Sequence, residues 1–244
     1  MVSTLLIAVF GVFAASVLRG FTGFGFGLAA VPLLSLAFPP AQAVPFVIVL
    51  QAIVGVAGFR GAWRVCDWRA VAGLTPGLVL GIPVGVLVLT FFRPNTVRLT
   101  IGLVIAASVG LLWRGARLPP HPSRVLTGLV GLTSGVISGL ASMGGPPIVV
   151  YLLALGHDAV RVRATSIIYF MLSALLSLVV LTSRGLLDRE VLLWSVASAP
   201  VLFGGSWVGT WGFHRARPHH HRLTALVVLS VLAAMLIGRG LWVG

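Results

Sequence analysis

Apolar runs of about 17 to 25 residues, the length a bilayer-spanning helix requires, follow one another along almost all of this 244-residue chain. Such runs cross the hydrocarbon as α-helices, and the alternating ten-residue pattern of an outer-membrane barrel is absent. Composition agrees, because 9% charged residues against 58% hydrophobic, with a mean hydropathy of +1.09, cannot cover a water-soluble surface. The expected fold class is an all-α polytopic membrane protein. Residues 3–18 have no polar mature domain after them, so they read as part of the fold and not as a cleaved leader.

Two stretches interrupt the apolar pattern from within. They are Gly20-Phe21-Thr22-Gly23-Phe24-Gly25-Phe26-Gly27 and Gly139-Leu140-Ala141-Ser142-Met143-Gly144-Gly145-Pro146-Pro147. Broken helix inside a bilayer is tolerated only where it is buried in protein or lines a wet cavity, since each unpaired backbone group in hydrocarbon costs several kcal/mol. The two breaks therefore read as facing segments of one site.

Taken in order, the first run and its glycine cluster are followed by Leu28 to Phe38, which Pro39-Pro40 stops. Helices are expected at about 42–59, 70–92 and 97–113. A linker at 114–124, rich in Arg and Pro, separates this first repeat (1–113) from a second (125–244). There the second cluster is followed by helices at about 164–183, 190–212 and 223–242. Duplication is visible where Arg93-Pro94-Asn95-Thr96-Val97-Arg98-Leu99-Thr100 matches Arg217-Pro218-His219-His220-His221-Arg222-Leu223-Thr224 at five of eight positions. At the same offset of 124, Pro76, Gly81 and Gly85 fall on Pro200, Gly205 and Gly209, while Gly20 and Gly139 align at an offset of 119. Internal symmetry of this kind marks transporter repeats.

Arginine placement bears on orientation. If each opening stretch folds back as two short helices, each half has five elements, and Arg19, Arg60, Arg64, Arg69, Arg114, Arg117, Arg124, Arg161, Arg163, Arg215, Arg217 and Arg222 share one side. Only Arg93, Arg98, Arg184, Arg189 and Arg239 face the other. That bias obeys the positive-inside rule and favours inverted repeats, with the linker cytoplasmic and both termini outside. If each stretch crosses once, the arginines divide nearly evenly. The count does not separate a full hairpin from a re-entrant one.

The candidate site residues gather at the breaks. In the first, Gly20, Gly23, Gly25 and Gly27 let the backbone turn, and the helix that follows aims its free N–H groups, which suit an anion, back at the break. Gly139, Gly144, Gly145 and Pro146 repeat the device, with Pro146 at home in a first turn. Thr22, Ser138 and Ser142 add hydroxyls. The competing reading is that the glycines only let helices pack closely. Arg19 either neutralises the anion or snorkels to the interface. Gln51 needs a partner inside the bundle, for binding or as helix-to-helix glue. Thr165 and Ser166, after Arg161 and Arg163 at the entrance to a helix, read as a cap or a gate, the cap being favoured. The half-helices are expected to meet near mid-bilayer with the anion between them, and Gly20 and Gly139 to lie near one another.

Other chemistry is weakly represented. The net charge of +13 is spread over short loops, without a basic domain or aromatic platforms, so nucleic acid is not an expected partner. All 17 basic residues are arginine, which reflects base bias in an Ala-, Gly- and Val-rich chain. Cys66 is alone, and the His219-His220-His221 run lacks a carboxylate or thiolate partner, so no metal or cofactor is expected. Asp67, Asp158, Asp188 and Glu190 fall in loops or at helix ends. No nucleophile stands with a base, and an enzyme is not expected.

Gly23-x-Gly25-x-Gly27 leading to Val31-Pro32-Leu33-Leu34, and Gly135-x-x-Ser138-Gly139 leading to Gly144-Gly145-Pro146-Pro147-Ile148-Val149-Val150-Tyr151-Leu152-Leu153, resemble the TauE/SafE sulfite exporter family, also called the toluene-sulfonate uptake permeases. The resemblance covers nearly the whole chain. It departs at Phe26, a place usually small, and at Ser142, where the family tends to have glycine. It implies a multi-pass inner-membrane permease for sulfite, sulfonates or related small sulfur anions. With no acid inside the membrane to couple a cation, export is the expected direction. A channel, or an accessory subunit whose glycines serve packing alone, are the competing classes.

Overall fold

The computed structural model describes residues 2–22, 25–35, 38–93, 95–97, 99–100 and 122–215, with single positions at 103, 106, 107, 110 and 234. Gly23, the linker at 114–121, most of the helix expected at 97–113, the helix expected at 223–242 and the Arg217 to Thr224 copy of the repeat, histidines included, lie outside the described residues. Every element among the described residues is helical: α1 (Val2–Thr22), α2 (Phe26–Ser35), α3 (Pro40–Ala62), α4 (Trp68–Phe91), α5 (Arg124–Ala141), α6 (Gly145–Ala154), α7 (Ala159–Ser183), α8 (Arg189–Ala197) and α9 (Ala199–Arg215).

Local chemistry sets where these helices start. Pro39 and Pro40 open α3, where a missing N–H costs nothing. Asp67 caps α4 by accepting from the N–H groups of Arg69 and Ala70 at 3.0 and 3.1 Å. Ser123 caps α5 through Leu126 N–H at 3.2 Å, and Asp158 caps α7 through Arg161 N–H at 2.7 Å. The last of these moves the start of α7 to Ala159. Thr165 and Ser166 are thus inside the helix and not its cap; the Thr165 hydroxyl accepts instead from Asp67 N–H at 2.9 Å.

Helices α3, α4, α5 and most of α7 are each long and apolar enough to cross a membrane, and α8 with α9 passes as a bent pair. Their outward faces are apolar too: Leu80, Val179 and Trp207 are 68%, 68% and 71% exposed, which suits lipid and not water. The opening of each half is a long helix followed by a half-length one. Helices α1 and α5 have 21 and 18 residues, while α2 and α6 have 10 each, about 15 Å of helix. Only the second member is short, where two short helices were expected.

The halves exchange partners. The most extensive contacts are α4 with α5, α1 with α9 and α3 with α7, so the first helix of each half lies on the last described span of the other. Small residues make this possible. A Cβ on Gly77, Gly81 or Gly85 of α4 would strike the backbone of α5, and one on Gly131, Gly135 or Gly139 would strike α4. Gly20 of α1 and Gly209 of α9 meet in the same way, with Gly205 against Ser16. For Gly20 and Gly139 the packing reading thus describes what surrounds them. Each presses on the opposite half, Gly20 on α9 and Gly139 on α4.

The single helix expected at 190–212 is two helices, bent by 43° around Ser198. Pro200 explains the bend, since its ring cannot donate to the carbonyl four residues earlier and crowds it. Its counterpart Pro76 lies inside the uninterrupted α4.

Loops from the two halves are also joined. Asp67, between α3 and α4, bonds His157, between α6 and α7, at 2.7 Å. Burial alone raises the Asp67 carboxyl, but the Ala70 N–H, His157 and the Arg161 charge outweigh it and hold the pKa below the usual carboxylate value. Burial likewise pushes the neighbouring Cys66 thiol up.

Candidate functional site at the two helix breaks

The two breaks turn the chain by different means. At the first, Gly25 has φ +88°, in the left-handed region that glycine enters without strain, and its carbonyl accepts Ala29 N–H at 3.1 Å to start α2. At the second, α5 ends on Ser142, a non-glycine residue at φ +56°, whose N–H returns to the Ser138 carbonyl at 2.7 Å. Gly144 then caps α6, with proline in the first turn. The Ser134 hydroxyl holds this turn by donating to the Gly144 carbonyl at 2.7 Å.

The breaks touch. A Cβ on Gly27 would overlap the backbone carbonyl of Ser142, so the start of α2 lies directly on the end of α5. Ser142 also donates through its hydroxyl to Gln51 Oε1 at 2.8 Å. Gln51 is the twelfth of the 23 residues of α3, half-way along a helix about 35 Å long. Both partners are buried, and the bond crosses from one half to the other.

Around this bond lies a small cavity, about 20 Å³ as swept by the centre of a water molecule, room for about one water. Its polar wall consists of Arg19, Gln51, Ser142, Gly25, Gly27 and Gly145. Its apolar wall consists of Phe26, Leu28, Met143, Ile167, Phe170 and Met171, with Gly55 where α3 crosses Met171 of α7. The first four N–H groups of a helix lack acceptors within it. At α2 these belong to Gly25, Phe26, Gly27 and Leu28, all lining the cavity. At α6 they would belong to Gly144, Gly145, Pro146 and Pro147, and the prolines have none.

Six of the residues singled out in the sequence thus share one cavity. Gly20 and Gly139 are at helix crossings outside its wall, as above. Ser138 is buried with its hydroxyl against Gly144, and Pro146 is buried in the first turn of α6. Thr22 ends α1, and Gly23 lies outside the described residues. Sequence reasoning missed Leu28, Gly55, Met143, Ile167, Phe170 and Met171. In a chain apolar on every face, such residues carry no signal that separates a cavity wall from a lipid contact. Phe26 and Ser142, both within the broken stretches, also line the cavity.

The chemistry of the wall favours an anion. It offers a guanidinium, backbone N–H groups at a helix start, a hydroxyl and an amide, and no carboxylate. The chain's four acids stand elsewhere: Asp67, Asp158 and Asp188 at the N-caps of α4, α7 and α8, and Glu190 in the first turn of α8.

Comparison with known proteins gives a consistent picture. Residues 7–236 match the family described as Sulfite exporter TauE/SafE. A relative in Cupriavidus necator, named probable sulfite/organosulfonate exporter TauE, is 27% identical over 195 residues, 77% of this chain and 76% of that protein. Another in Comamonas testosteroni, named probable inner membrane transporter protein TsaS, is 25% identical over 189 residues, 74% of this chain and 76% of that protein. No solved structure matches the chain significantly.

Proposed function

The chain belongs to the sulfite exporter TauE/SafE family, and on that premise we propose that it carries a small sulfur oxyanion, sulfite or a short sulfonate, outward across the inner membrane through the cavity between the two breaks. The observation that carries this reading is the cavity itself. Halfway along α3, it joins Arg19, Gln51 and the α2 donors of one half to Ser142 and Gly145 of the other. The relatives' names supply the substrate class and the membrane; the wall chemistry supplies the sign of the charge.

In this reading residues 1–113 and 125–244 are inverted repeats joined by a cytoplasmic linker, and binding lies at their seam near the bilayer midplane. Room for about one water is too little for a sulfur oxyanion. Loading therefore requires the halves to separate slightly, which suits a carrier better than an open pore. Direction follows from charge. An anion leaving a cell that is negative inside gains about 2.3 kcal/mol per charge per 100 mV. No membrane-embedded acid is available to couple uptake to a cation.

The test is flux from liposomes containing the purified protein, with labelled sulfite, sulfate, thiosulfate, a short sulfonate and acetate, under an imposed potential without proton or sodium gradients. Saturable flux of the sulfur anions that follows the potential is expected. Flux that ignores the potential and requires a cation gradient overturns the direction, flux that never saturates indicates a channel, and no flux for any anion overturns the transport reading.

A further inference from the structure

The five residues Trp63 to Asp67 join α3 and α4, two helices each long and apolar enough to span a membrane, so this loop lies at the bilayer surface. An open groove runs along it, lined by Phe59, Arg60, Gly61, Trp63 and Arg64. Its aromatic side is a fixed stack. Phe59 and Trp63 have ring centroids 4.9 Å apart, Trp63 and Trp68 4.3 Å apart, and the Trp68 indole N–H donates to the Trp63 carbonyl at 3.2 Å. Both tryptophans remain exposed. The basic side of the groove is unspent: Arg60 and Arg64 are exposed, and neither guanidinium has a hydrogen bond or an ion pair among the described residues. The acid in the loop does not neutralise them, because Asp67 accepts from Arg69 N–H, Ala70 N–H and His157.

Guanidinium forks pair with phosphate oxygens, and aromatic rings are at home in the headgroup layer, where one side is wet and the other apolar. We propose that this groove holds the headgroup of an anionic phospholipid, with the phosphodiester on Arg60 and Arg64 and the first carbons of the acyl chains on Phe59 and Trp63. A zwitterionic headgroup carries its own cation beside the phosphate, which opposes the two arginines. Inorganic phosphate matches the charge but leaves the rings uncovered. The groove shares no lining residue with the cavity between the breaks, and the inference does not depend on transport there.

The experiment titrates the full chain, purified in detergent, with phosphatidylglycerol or phosphatidylcholine and reads the apparent Kd of the first lipid bound by native mass spectrometry. Phosphatidylglycerol is expected to bind more tightly. Changing Arg60→Gln and Arg64→Gln together should weaken it by about twenty-five-fold, a factor of about five for each arginine, with little effect on phosphatidylcholine. Lysine at both positions should recover most of the loss. Gly61→Leu, whose Cβ meets nothing within 4 Å, should fill the groove and weaken phosphatidylglycerol without lowering the melting temperature. Arg184→Gln with Arg189→Gln, exposed positions at the ends of α7 and α8, should leave the Kd unchanged. An unchanged Kd in the Arg60 and Arg64 double variant, an equal loss in the Arg184 and Arg189 control, or equal affinity for the two lipids overturns the inference. Displacement of phosphatidylglycerol by an equal concentration of inorganic phosphate overturns it in favour of a free-anion site. Should the Arg60 and Arg64 variant fail to fold, an unchanged Kd in Gly61→Leu overturns it as well.

Discussion

The two breaks each stop a helix and start a ten-residue one, yet they are built differently. The first spends glycine on the turn and keeps its donors: Gly25 takes φ +88°, and Gly25 to Leu28, whose N–H groups lack acceptors within the helix, line the cavity. The second spends its donors on rigidity. Pro146 and Pro147 remove two N–H groups from the start of α6, Ser134 clamps the turn, and Ser142 sits in a left-handed conformation costing about 1–2 kcal/mol for a non-glycine residue. What the second break offers instead is a hydroxyl, and that hydroxyl is bonded to Gln51 of the first half. One interruption thus keeps the free N–H groups of its helix start, and the other is a stiff frame.

The largest expected effect comes from separating the breaks. Gly27→Leu places a side chain where the Ser142 carbonyl lies and pushes α2 away from α5. Transport should fall by about 100-fold or more, as displacements near 1 Å do at reacting sites. Membrane insertion should persist, because the helices retain their hydropathy. Gly144→Leu separates the second break from its own helix by striking Ser134 and Ser138, so it should lose transport and lower the melting temperature further. Near-normal flux in both variants would mean that the contact between breaks is packing alone.

A smaller effect separates the hydroxyl from the turn. Ser142→Gly relieves the left-handed strain, about 1–2 kcal/mol, but leaves Gln51 Oε1 buried without its donor, about 1–3 kcal/mol, so the two terms offset and stability should change little. Gln51→Leu instead leaves the Ser142 hydroxyl buried without its partner, a cost of about 1–3 kcal/mol. If the bond between halves matters for transport, both variants slow flux while only the second destabilises. The matching change at the first break, Gly25→Ser, meets only the Leu28 side chain at ordinary contact distance but keeps φ +88°, so it should cost stability and gain nothing. Equal behaviour of Ser142→Gly and Gly25→Ser in a thermal melt would erase the distinction drawn here.

These contrasts show what a single sequence makes legible. Helix-breaking residues inside apolar runs are conspicuous, so both breaks, Arg19 and Gln51 could be found before any coordinates. The partner of Gln51 could not, because a bond between positions 51 and 142 depends on how the halves dock. Gly20 and Gly139 stand at helix crossings, and glycine at a break and glycine at a crossing look alike in sequence. The bend before Pro200 was hidden by hydropathy that runs unbroken through it, and the uninterrupted α4 around Pro76 shows that proline alone does not decide the matter.

The smallest expected effect tests the donor count itself. Pro146→Ala restores an N–H beside Gly145, which lines the cavity. A gain in donors at a helix start should tighten anion binding by a few-fold, within the range of about 0.5–1.5 kcal/mol for one net hydrogen bond. Against this, the unfolded chain gains the freedom that proline denied it, and stability should fall by about 0.4–1 kcal/mol. The variant is therefore expected to show a lower KM for the transported anion and a slightly lower melting temperature. An unchanged KM in a folded Pro146→Ala protein means that donors at α6 do not reach the anion, and that the first break alone supplies them. A raised KM means that the second break acts through its rigidity, with the proline holding Gly145 and Ser142 in place. In both cases the two breaks differ in kind; only the predicted fall in KM makes their difference one of degree.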